Sequence, residues 1–324
     1  MREQDTPITR RWYRAECSHR ESVYILARFL YHNRMTAGSS RGDIHTELAS
    51  ISSATPADLE RFQRAVLSFY RKCGRTFPWR ETRDPYAILV SEIMLQQTQT
   101  DRVVPKYEAF LREFPSVSSL ARAPVEKVIR MWMGLGYYRR ALNLHKAARM
   151  VSEELNGSFP DTVEGLRALP GVGPYTAAAV AAFAFQFASP MIETNIRTVY
   201  LATFFSRRKS VSDKEILTLV EKSLYRRDPR RWYYALMDLG VELKKVAKGV
   251  NKRSKHYTKQ SKFVGSHRQI RAAVLKRISE FPQSRSKVLK ELPFDEARVE
   301  KALVELEREG FIKRDPRRRV FVIG

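Results

Sequence analysis

Residues 166–183 read LRALPGVGPYTAAAVAAF, which predicts a helix, a tight turn and a second helix. Gly171 and Gly173 allow a compact turn whose backbone N–H groups point outward at the start of the second helix. Such a turn binds one phosphate of a nucleic-acid backbone without reading sequence, often with a bound cation. A Gly-x-Gly between helices is weak evidence alone, but LPGVG before an alanine-rich helix is much more specific.

The charge of the chain agrees with a polyanionic partner. Its 324 residues hold 59 Lys and Arg against 35 Asp and Glu, a net charge of +24. A globular chain this basic usually meets DNA, RNA or an anionic membrane surface, although a generally basic enzyme is the plain alternative. No stretch approaches 18 apolar residues, so no membrane span is predicted. Two cysteines, Cys17 and Cys73, exclude an all-cysteine metal or iron–sulfur site within the chain.

The chain divides into four predicted parts. Residues 1–54 form a basic, loosely ordered extension, and apolar periodicity then predicts an all-α domain of roughly ten helices over 55–243. A lysine-rich basic linker follows at 244–262. Residues 263–324 predict three helices and two short strands around a DPRR turn, which is the layout of a small winged-helix-like α+β domain. Its third helix is acidic, so the basic hairpin is the better candidate for contact with a phosphate backbone.

Four further stretches carry a family resemblance. They are FPWRETRDPYAILVSEIMLQQTQTDRVVPKYEAFLREFPSV at 77–117, GLGYYRRALNLHKAA at 134–148, PMIETNIRTV at 190–199 and YALMDLG at 234–240. Together with LPGVGPYT, they resemble the helix-hairpin-helix (HhH-GPD) DNA glycosylase superfamily, and within it the MutY-type A/G-specific adenine glycosylases. The resemblance covers about residues 60–243.

This resemblance implies an all-α, two-subdomain helix-hairpin-helix glycosylase fold, followed here by the winged-helix-like domain. It implies an enzyme that flips a nucleotide out of duplex DNA and hydrolyses its N-glycosidic bond. Such chemistry needs two carboxyl groups, because one acid must protonate the leaving base while another stays ionised near the anomeric carbon. The resemblance gives these roles to Glu92, as general acid, and to Glu193.

The resemblance also assigns the other site residues. The expected DNA-binding residues are Gln96, Gln97, Tyr137, Leu169, Gly171, Val172 and Gly173. The expected base-pocket or helper residues are Asn195, Tyr234 and Tyr175. No metal site is predicted, and a monovalent cation at the helix-hairpin-helix is the one cofactor left open.

Three positions depart from the family pattern. Glu193 stands where the family has aspartate, and the extra methylene moves the carboxylate by about 1.5 Å. Tyr234 replaces a glutamine that helps to hold adenine, which puts adenine specificity in question. Tyr175 replaces the lysine nucleophile of bifunctional relatives, so a Schiff base is not expected and a monofunctional enzyme is predicted.

Two whole features of the family are also missing. The segment after YALMDLG contains no cysteine, so no iron–sulfur cluster is expected, and its lysines are interpreted as DNA-facing charge. The winged-helix-like segment stands in place of the family's 8-oxoguanine-reading domain.

The predicted function is base excision repair of a mispaired base, with adenine opposite guanine or 8-oxoguanine as the leading substrate. Removal of mismatched thymine or uracil, or of another damaged base, is the alternative within the class. A non-catalytic DNA-binding protein on the same scaffold is the alternative of a different class. The expected partner is double-stranded DNA with a mismatched or damaged base, bound by a cytoplasmic, nucleoid-associated monomer.

Overall fold

The computed structural model describes residues 55–206, 208–258, 262–315, 317 and 319–324. The predicted basic extension over residues 1–54 lies outside the described residues, and the predicted domain boundaries stay predictions. The described chain forms two compact units. Unit 1 comprises the residues up to Glu92, Pro160–Ala168 and Val172–Tyr257, and unit 2 comprises Ile93–Phe159, Leu169–Gly171 and Thr258–Gly324.

The predicted class, helices followed by a small α+β region, is confirmed. The first twelve helices are α1 Pro56–Cys73, α2 Pro78–Glu81, α3 Pro85–Leu95, α4 Thr100–Glu113, α5 Val117–Ala121, α6 Val125–Trp132, α7 Arg139–Arg149, α8 Val163–Arg167, α9 Pro174–Phe185, α10 Thr194–Thr203, α11 Asp213–Lys222 and α12 Pro229–Val246. They are followed by α13 His267–Glu280, β1 Gln283–Ser284, α14 Arg285–Glu291, α15 Glu296–Arg308, β2 Ile312–Asp315 and β3 Val320–Ile323. Within the described residues, no helix is both long and apolar enough to cross a membrane.

Local sequence determines where helix α1 begins. The sequence Thr55-Pro56-Ala57-Asp58 predicts a capped helix start, and the structure confirms it. The Thr55 side chain accepts a hydrogen bond from the Asp58 N–H, and the Asp58 carboxylate accepts one from the Thr55 N–H. This capping box satisfies two N–H groups that would otherwise lack an intrahelical partner.

Helix α12 is the central element of unit 1, where it packs against both α1 and α10. Its contact with α10 requires glycine at one position. A Cβ atom built on Gly240 would lie 2.3 Å from the carbonyl oxygen of Asn195. The missing side chain therefore lets the start of α10 approach the α12 backbone directly, and this close approach fixes the region that carries Glu193 and Asn195.

Unit 2 contains the C-terminal helices and strands together with the helices between α3 and α8. Ile129 of α6 belongs to the same buried hydrophobic cluster as the core residues of α13, α15 and β3, and Val125 and Leu142 pack against it. The two strands predicted around the DPRR turn pair in antiparallel register, with Ile312 opposite Ile323. A third strand, β1, pairs with the other edge of β3, giving the order β1-β3-β2. Because β1 has only two residues, periodicity could not reveal it.

Candidate active site

Glu92 is a buried carboxyl on α3. The sequence of this helix, PYAILVSEIML, is apolar on nearly every face, so the helix is buried and the Glu92 side chain is only 5% exposed. Its Oε2 accepts a hydrogen bond from the Tyr175 hydroxyl at 3.0 Å. Burial, assisted by the charge of Glu193, raises the pKa of Glu92 to about 7, against the opposing Tyr175 hydrogen bond and Arg80 charge. Glu92 can therefore carry a proton near neutral pH.

Glu193 occupies the N-cap position of α10 in the same unit. Its Oε1 accepts the backbone N–H groups of Asn195 at 2.7 Å and Ile196 at 2.8 Å, and the Asn195 Nδ2 donates to Oε2 at 3.2 Å. Burial raises the pKa of Glu193, while these N–H donors and the charges of Lys244 and Arg197 oppose that rise. The net shift of the Glu193 pKa is upward, and these donors and charges offset part of the cost that burial imposes on the ionised carboxylate.

Lys244 of α12 contacts the candidate site, which no local sequence pattern indicates. Its Nζ donates to the Asn195 Oδ1 at 2.6 Å, so Lys244, Asn195 and Glu193 form a chain of hydrogen bonds. Partial burial lowers the pKa of Lys244, and the charge of Glu193 acts in the opposite direction. The lysine-rich composition of this segment predicts DNA-facing charge, whereas Lys244 binds Asn195 and its charge acts on Glu193. The one sequence feature that indicates a close approach of α10 to this part of α12 is Gly240, one helical turn before Lys244.

The buried Tyr234 ring contacts the Arg80 guanidinium and the Phe183 ring. Its ring is 4% exposed, stacks on Phe183 with the centroids 4.3 Å apart, and has the Arg80 guanidinium carbon 4.4 Å from its centroid. Burial raises the pKa of the Tyr234 hydroxyl well above its usual value, so the side chain stays neutral. Its role in the base pocket stays a prediction.

Arg80 is held by Asp238, the acidic residue of YALMDLG. Two Arg80 nitrogens donate to the Asp238 carboxylate at 2.8 and 2.9 Å, and the Arg75 Nε donates at 2.8 Å. Burial alone would raise the pKa of Asp238, but the two guanidinium groups outweigh it and hold the pKa below its usual value. The motif therefore places a fixed positive charge beside Glu92 and Tyr234.

Replacing Asp238 with asparagine is expected to lower the free energy of unfolding by about 3–5 kcal/mol, because it leaves two guanidinium groups without their shared buried carboxylate. Chemical denaturation measures the change. Glu126→Gln is the matched control, because Glu126 forms an exposed ion pair with Arg130 on the surface of α6. A loss no larger than that of the control would contradict a stabilising role for the cluster.

The residues after α12 do not fit an iron–sulfur cluster. Protein clusters are held chiefly by cysteine thiolates, and residues 241–257 contain none. Within the described ranges, no group of three or more His, Cys, Asp or Glu residues is placed to hold a metal ion. Arg253 instead fastens the segment by donating to the carbonyl oxygens of Leu201, Phe205 and Ser206.

The LPGVG turn joins α8 to α9 as the sequence predicted. Gly171 has φ +79, and a Cβ there would lie 2.5 Å from the Asn143 Cβ, so both conformation and space require glycine. Gly173 is the N-cap of α9 and is exposed. Leu169 and Val172 are buried and hold the turn in place. A phosphate at this turn would therefore be bound by backbone N–H groups and not by these two side chains.

The predicted DNA-contacting side chains lie at two strained loops of unit 2. Gln97, which follows α3 and Gln96, has φ 55, and Tyr137, which precedes α7, has φ 49. Left-handed backbone at non-glycine residues persists only where the surroundings enforce it, and it is common at functional sites. Arg140 enforces it here, because its guanidinium donates to the carbonyl oxygens of both loops, including those of Gln96 and Gly136. No sequence motif indicates this role of Arg140.

With this geometry established, comparison with known proteins identifies the relatives. Residues 90–226 match the model of the HhH-GPD superfamily base excision DNA repair protein. An adenine DNA glycosylase of Mycobacterium tuberculosis is 32% identical over 280 residues, which cover 77% of this chain and 89% of the relative. The chain belongs to the HhH-GPD superfamily.

Other HhH-GPD relatives match over shorter lengths. An adenine DNA glycosylase of Buchnera aphidicola is 36% identical over 185 residues, or 56% of this chain and 52% of the relative. The chain therefore spans about half the length of that relative. Among solved structures, a thermostable thymine-DNA glycosylase is 28% identical, with a TM-score of 0.52 over 58% of this chain and 88% of its own.

The HhH-GPD fold thus places Glu92, Glu193, Tyr175, Asn195 and Tyr234 in unit 1, as one set of neighbouring groups linked by hydrogen bonds or charge. It places Gln96, Gln97 and Tyr137 in unit 2. The set in unit 1 combines a buried carboxyl whose pKa is raised to about 7 with a second carboxyl that accepts backbone N–H donors and lies near the charge of Lys244. Such a pair can donate a proton to a leaving group and stabilise a cation.

Proposed function

We propose that the chain is a monofunctional DNA N-glycosylase of base excision repair, which hydrolyses the bond between deoxyribose and a mispaired base. The leading substrate is adenine opposite guanine or 8-oxoguanine. The observation that carries this proposal is the contrast between the two carboxyl groups. Glu92 is buried and has its pKa raised to about 7, whereas Glu193 accepts N–H donors and lies near Lys244. Relatives named adenine DNA glycosylases support the choice of adenine.

In the proposed mechanism, Glu92 protonates the base as the glycosidic bond breaks, and the pair of electrons leaves with the base. Glu193 stabilises the positive charge that develops on the sugar, and water then adds to the anomeric carbon as its proton passes to the carboxylate left at Glu92. Tyr175 donates to Glu92 and thereby orients its carboxyl group. Asn195 and Lys244 hold the Glu193 carboxylate in place.

Thymine or uracil opposite guanine is the second candidate substrate. Tyr234 weakens the preference for adenine, because its single hydroxyl cannot present a donor and an acceptor side by side as an amide does. The likeness to a solved thymine-DNA glycosylase supports the same alternative. A non-catalytic DNA-binding role is less well supported, since burying Glu92 destabilises its ionised form and contributes nothing to binding a polyanion.

One assay separates these functions. Duplexes with A:8-oxoG, A:G, T:G or U:G pairs are incubated with the protein and then treated with alkali, which breaks the strand at abasic sites. We expect breaks at adenine in the first two duplexes. Breaks only in the T:G or U:G duplexes would assign the alternative substrate, and binding without breaks in any duplex would contradict all four substrates and leave another damaged base or the non-catalytic role.

The rate of base release is expected to depend on pH through both carboxyl groups. Glu92 must be protonated, so the rate should fall about tenfold per pH unit above about 7, where Glu92 ionises. Glu193 must be ionised, so the rate should also fall at low pH. The resulting bell-shaped dependence of the rate on pH gives apparent pKa values of the coupled pair and not of either residue alone. Single-turnover rates between pH 5 and 9 measure it, and a rate that rises through pH 7 to 9 would contradict the acid role of Glu92.

No covalent protein–DNA adduct is expected when the reaction is run with borohydride, because the Tyr175 position offers a hydroxyl and no amine. Denaturing gel electrophoresis detects any adduct. Lys244 is the nearby amine to control for, since it lies within hydrogen-bonding distance of Asn195. An adduct that is lost in Lys244→Gln would show that this lysine attacks the sugar and that the enzyme is bifunctional.

We further propose double-stranded DNA with a mismatched or damaged base as the partner of a nucleoid-associated, cytoplasmic monomer without an iron–sulfur cluster. The net charge of +24 supports the partner, and the lack of cysteines after α12 supports the missing cluster. The exposed Gly171 and Gly173 support a backbone phosphate contact, with a monovalent cation as its companion.

A further inference from the structure

Helix α15 of the C-terminal region turns one side towards solvent. Its core side packs into the hydrophobic cluster of this region and is formed by Val299, Ala302, Leu303 and Leu306. Its opposite side, the outer face of α15, is formed by four exposed residues at spacings of three and four, Ala297, Lys301, Val304 and Arg308. Val304 alone is 51% exposed. The outer face is therefore a row of two cations with small apolar side chains between them.

The glutamates beside this face are neutralised by basic residues of neighbouring elements. The acidic composition of α15 alone predicts that a phosphate backbone repels it. In the structure, Glu300 pairs with Arg285 of α14 at 2.7 Å, and Glu307 pairs with Arg314 of β2 at 3.2 Å. Glu305 is likewise held by basic residues of α13. The two cations of the outer face, in contrast, form no ion pair with any described residue. The outer face therefore offers positive charge although the helix is rich in glutamate.

The β2–β3 hairpin extends this positive surface. Strand β2 packs against α15, and the ion pair between Arg314 and Glu307 joins the two elements. Lys313 of β2 and Arg319, which directly precedes β3, are both exposed. Arg319 has φ 54, and its backbone N–H donates to the carbonyl oxygen of Asp315 at 2.9 Å. This hydrogen bond stabilises the left-handed turn residue, so the hairpin presents its cations from a defined turn.

The dimensions of the outer face match the major groove of duplex DNA. A helix with its side chains is about 10–12 Å across, and the major groove of B-DNA is about 12 Å wide. Lys301 and Arg308 lie seven residues apart, which is about 10 Å along the helix axis. Their long side chains can therefore reach phosphates at the edges of the groove. Ala297 and Val304 are short enough to let the helix approach the bases, where apolar side chains contact thymine methyl groups.

Other partners fit the outer face less well. The centre of a protein interface is depleted in charge and enriched in aromatic rings, whereas this face has two cations and no ring. Binding to a membrane surface requires large apolar side chains that enter the lipid boundary. Duplex RNA has a deep, narrow major groove that side chains cannot read. Shape and charge together therefore favour duplex DNA.

We propose that the C-terminal region carries a DNA-binding surface of its own, in which the outer face of α15 enters the major groove of an undamaged duplex. Lys301 and Arg308 bind phosphates at the edges of that groove, and the β2–β3 hairpin contacts the neighbouring backbone through Lys313 and Arg319. The surface requires no mispaired or damaged base, so the inference goes beyond the proposed function. It adds affinity for undamaged DNA, on which electrostatic binding lets a protein slide and hop.

The test measures the affinity of the full chain for a fully paired DNA duplex, by fluorescence anisotropy over a series of salt concentrations. Lys301→Glu should weaken binding about tenfold and lower the slope of log affinity against log salt concentration by about 1, because it removes a phosphate contact. Arg308→Glu and Arg319→Glu should act in the same direction. Lys276→Glu is the matched control, because Lys276 is exposed on α13, whose buried side packs against α15. It should change the affinity and the slope little.

A duplex of RNA distinguishes groove binding from general attraction to a polyanion, because its major groove does not admit the helix. Lys301→Glu should weaken binding to the DNA duplex more than binding to the RNA duplex. An equal loss on both duplexes would overturn the proposal, and so would equal effects of Lys301→Glu and Lys276→Glu on paired DNA.

Single-turnover base release at saturating protein should be unchanged in Lys301→Glu, because α15 carries no group of the candidate active site. This readout also excludes a folding defect as the cause of weaker binding. If the wild type releases no base from any mismatch while Lys301→Glu weakens DNA binding and Lys276→Glu does not, the proposed function fails and the second DNA-binding surface stands.

Discussion

Replacing Glu92 with glutamine is expected to lower the single-turnover rate of base release by about 10³-fold, within the 10²- to 10⁴-fold range of general acids. Glutamine has nearly the same shape and can still accept the Tyr175 hydrogen bond, but it has no proton of suitable acidity to give to the leaving base. The loss should be largest near pH 6, where the wild-type carboxyl is protonated, and should shrink above about pH 7.

Thermal unfolding of Glu92→Gln distinguishes the loss of a proton donor from a folding defect. The pKa of Glu92 is raised in the folded protein, so stability is lost as the pH rises from 4.5, its ordinary pKa, to about 7, and the full cost is present at pH 8. Glu92→Gln should therefore unfold at a temperature equal to or higher than that of the wild type at pH 8. Wild-type activity in this variant, measured alongside normal thermal unfolding, would show that Glu92 is not the acid.

Replacing Glu193 with glutamine is expected to lower the rate at least about 10²-fold, because it removes the negative charge that stabilises the sugar cation. The glutamine carbonyl can still accept the N–H groups of Asn195 and Ile196, so α10 should keep its cap and the protein its stability. Binding to the uncleaved duplex should change little, so the loss should lie in the rate and not in the affinity. Single-turnover kinetics at saturating protein measures this separation.

The variant Glu193→Asp keeps the charge of the carboxylate and tests its position. Aspartate is a better N-cap than glutamate, so stability should be maintained. The shorter side chain withdraws the carboxylate by about 1.5 Å, and a misplacement of that size can lower the rate about 10²-fold. A rate equal to or above that of the wild type would show that this pocket is still shaped for aspartate, and that glutamate is a tolerated replacement with no adjusted role.

Much of the fold followed from local sequence signals. The TPAD sequence predicted the cap of α1, and LPGVGPYT predicted the turn before α9. Both succeed because they depend on neighbouring backbone groups. The strand β1 could not be predicted, because two residues carry no period and their pairing with β3 is set by tertiary contact.

The chemistry of the site was only partly predictable. The resemblance located Glu92 and Glu193, but their different environments depend on burial and on groups far away in sequence. Lys244 reaches Asn195 only because Gly240 lets α10 approach α12, and that contact joins residues 49 positions apart. Arg268 likewise meets Tyr137 across 131 positions. No local pattern encodes either pairing.

The most direct test of the two-carboxyl account is single-turnover release of free adenine from an A:8-oxoG or A:G duplex at pH 6. The wild type, Glu92→Gln, Glu193→Gln and the double variant are compared. We expect release by the wild type, losses of about 10³-fold and at least about 10²-fold in the single variants, and a double variant not much slower than the slower single variant, because the two groups act together. Release at the wild-type rate by both single variants would contradict the account.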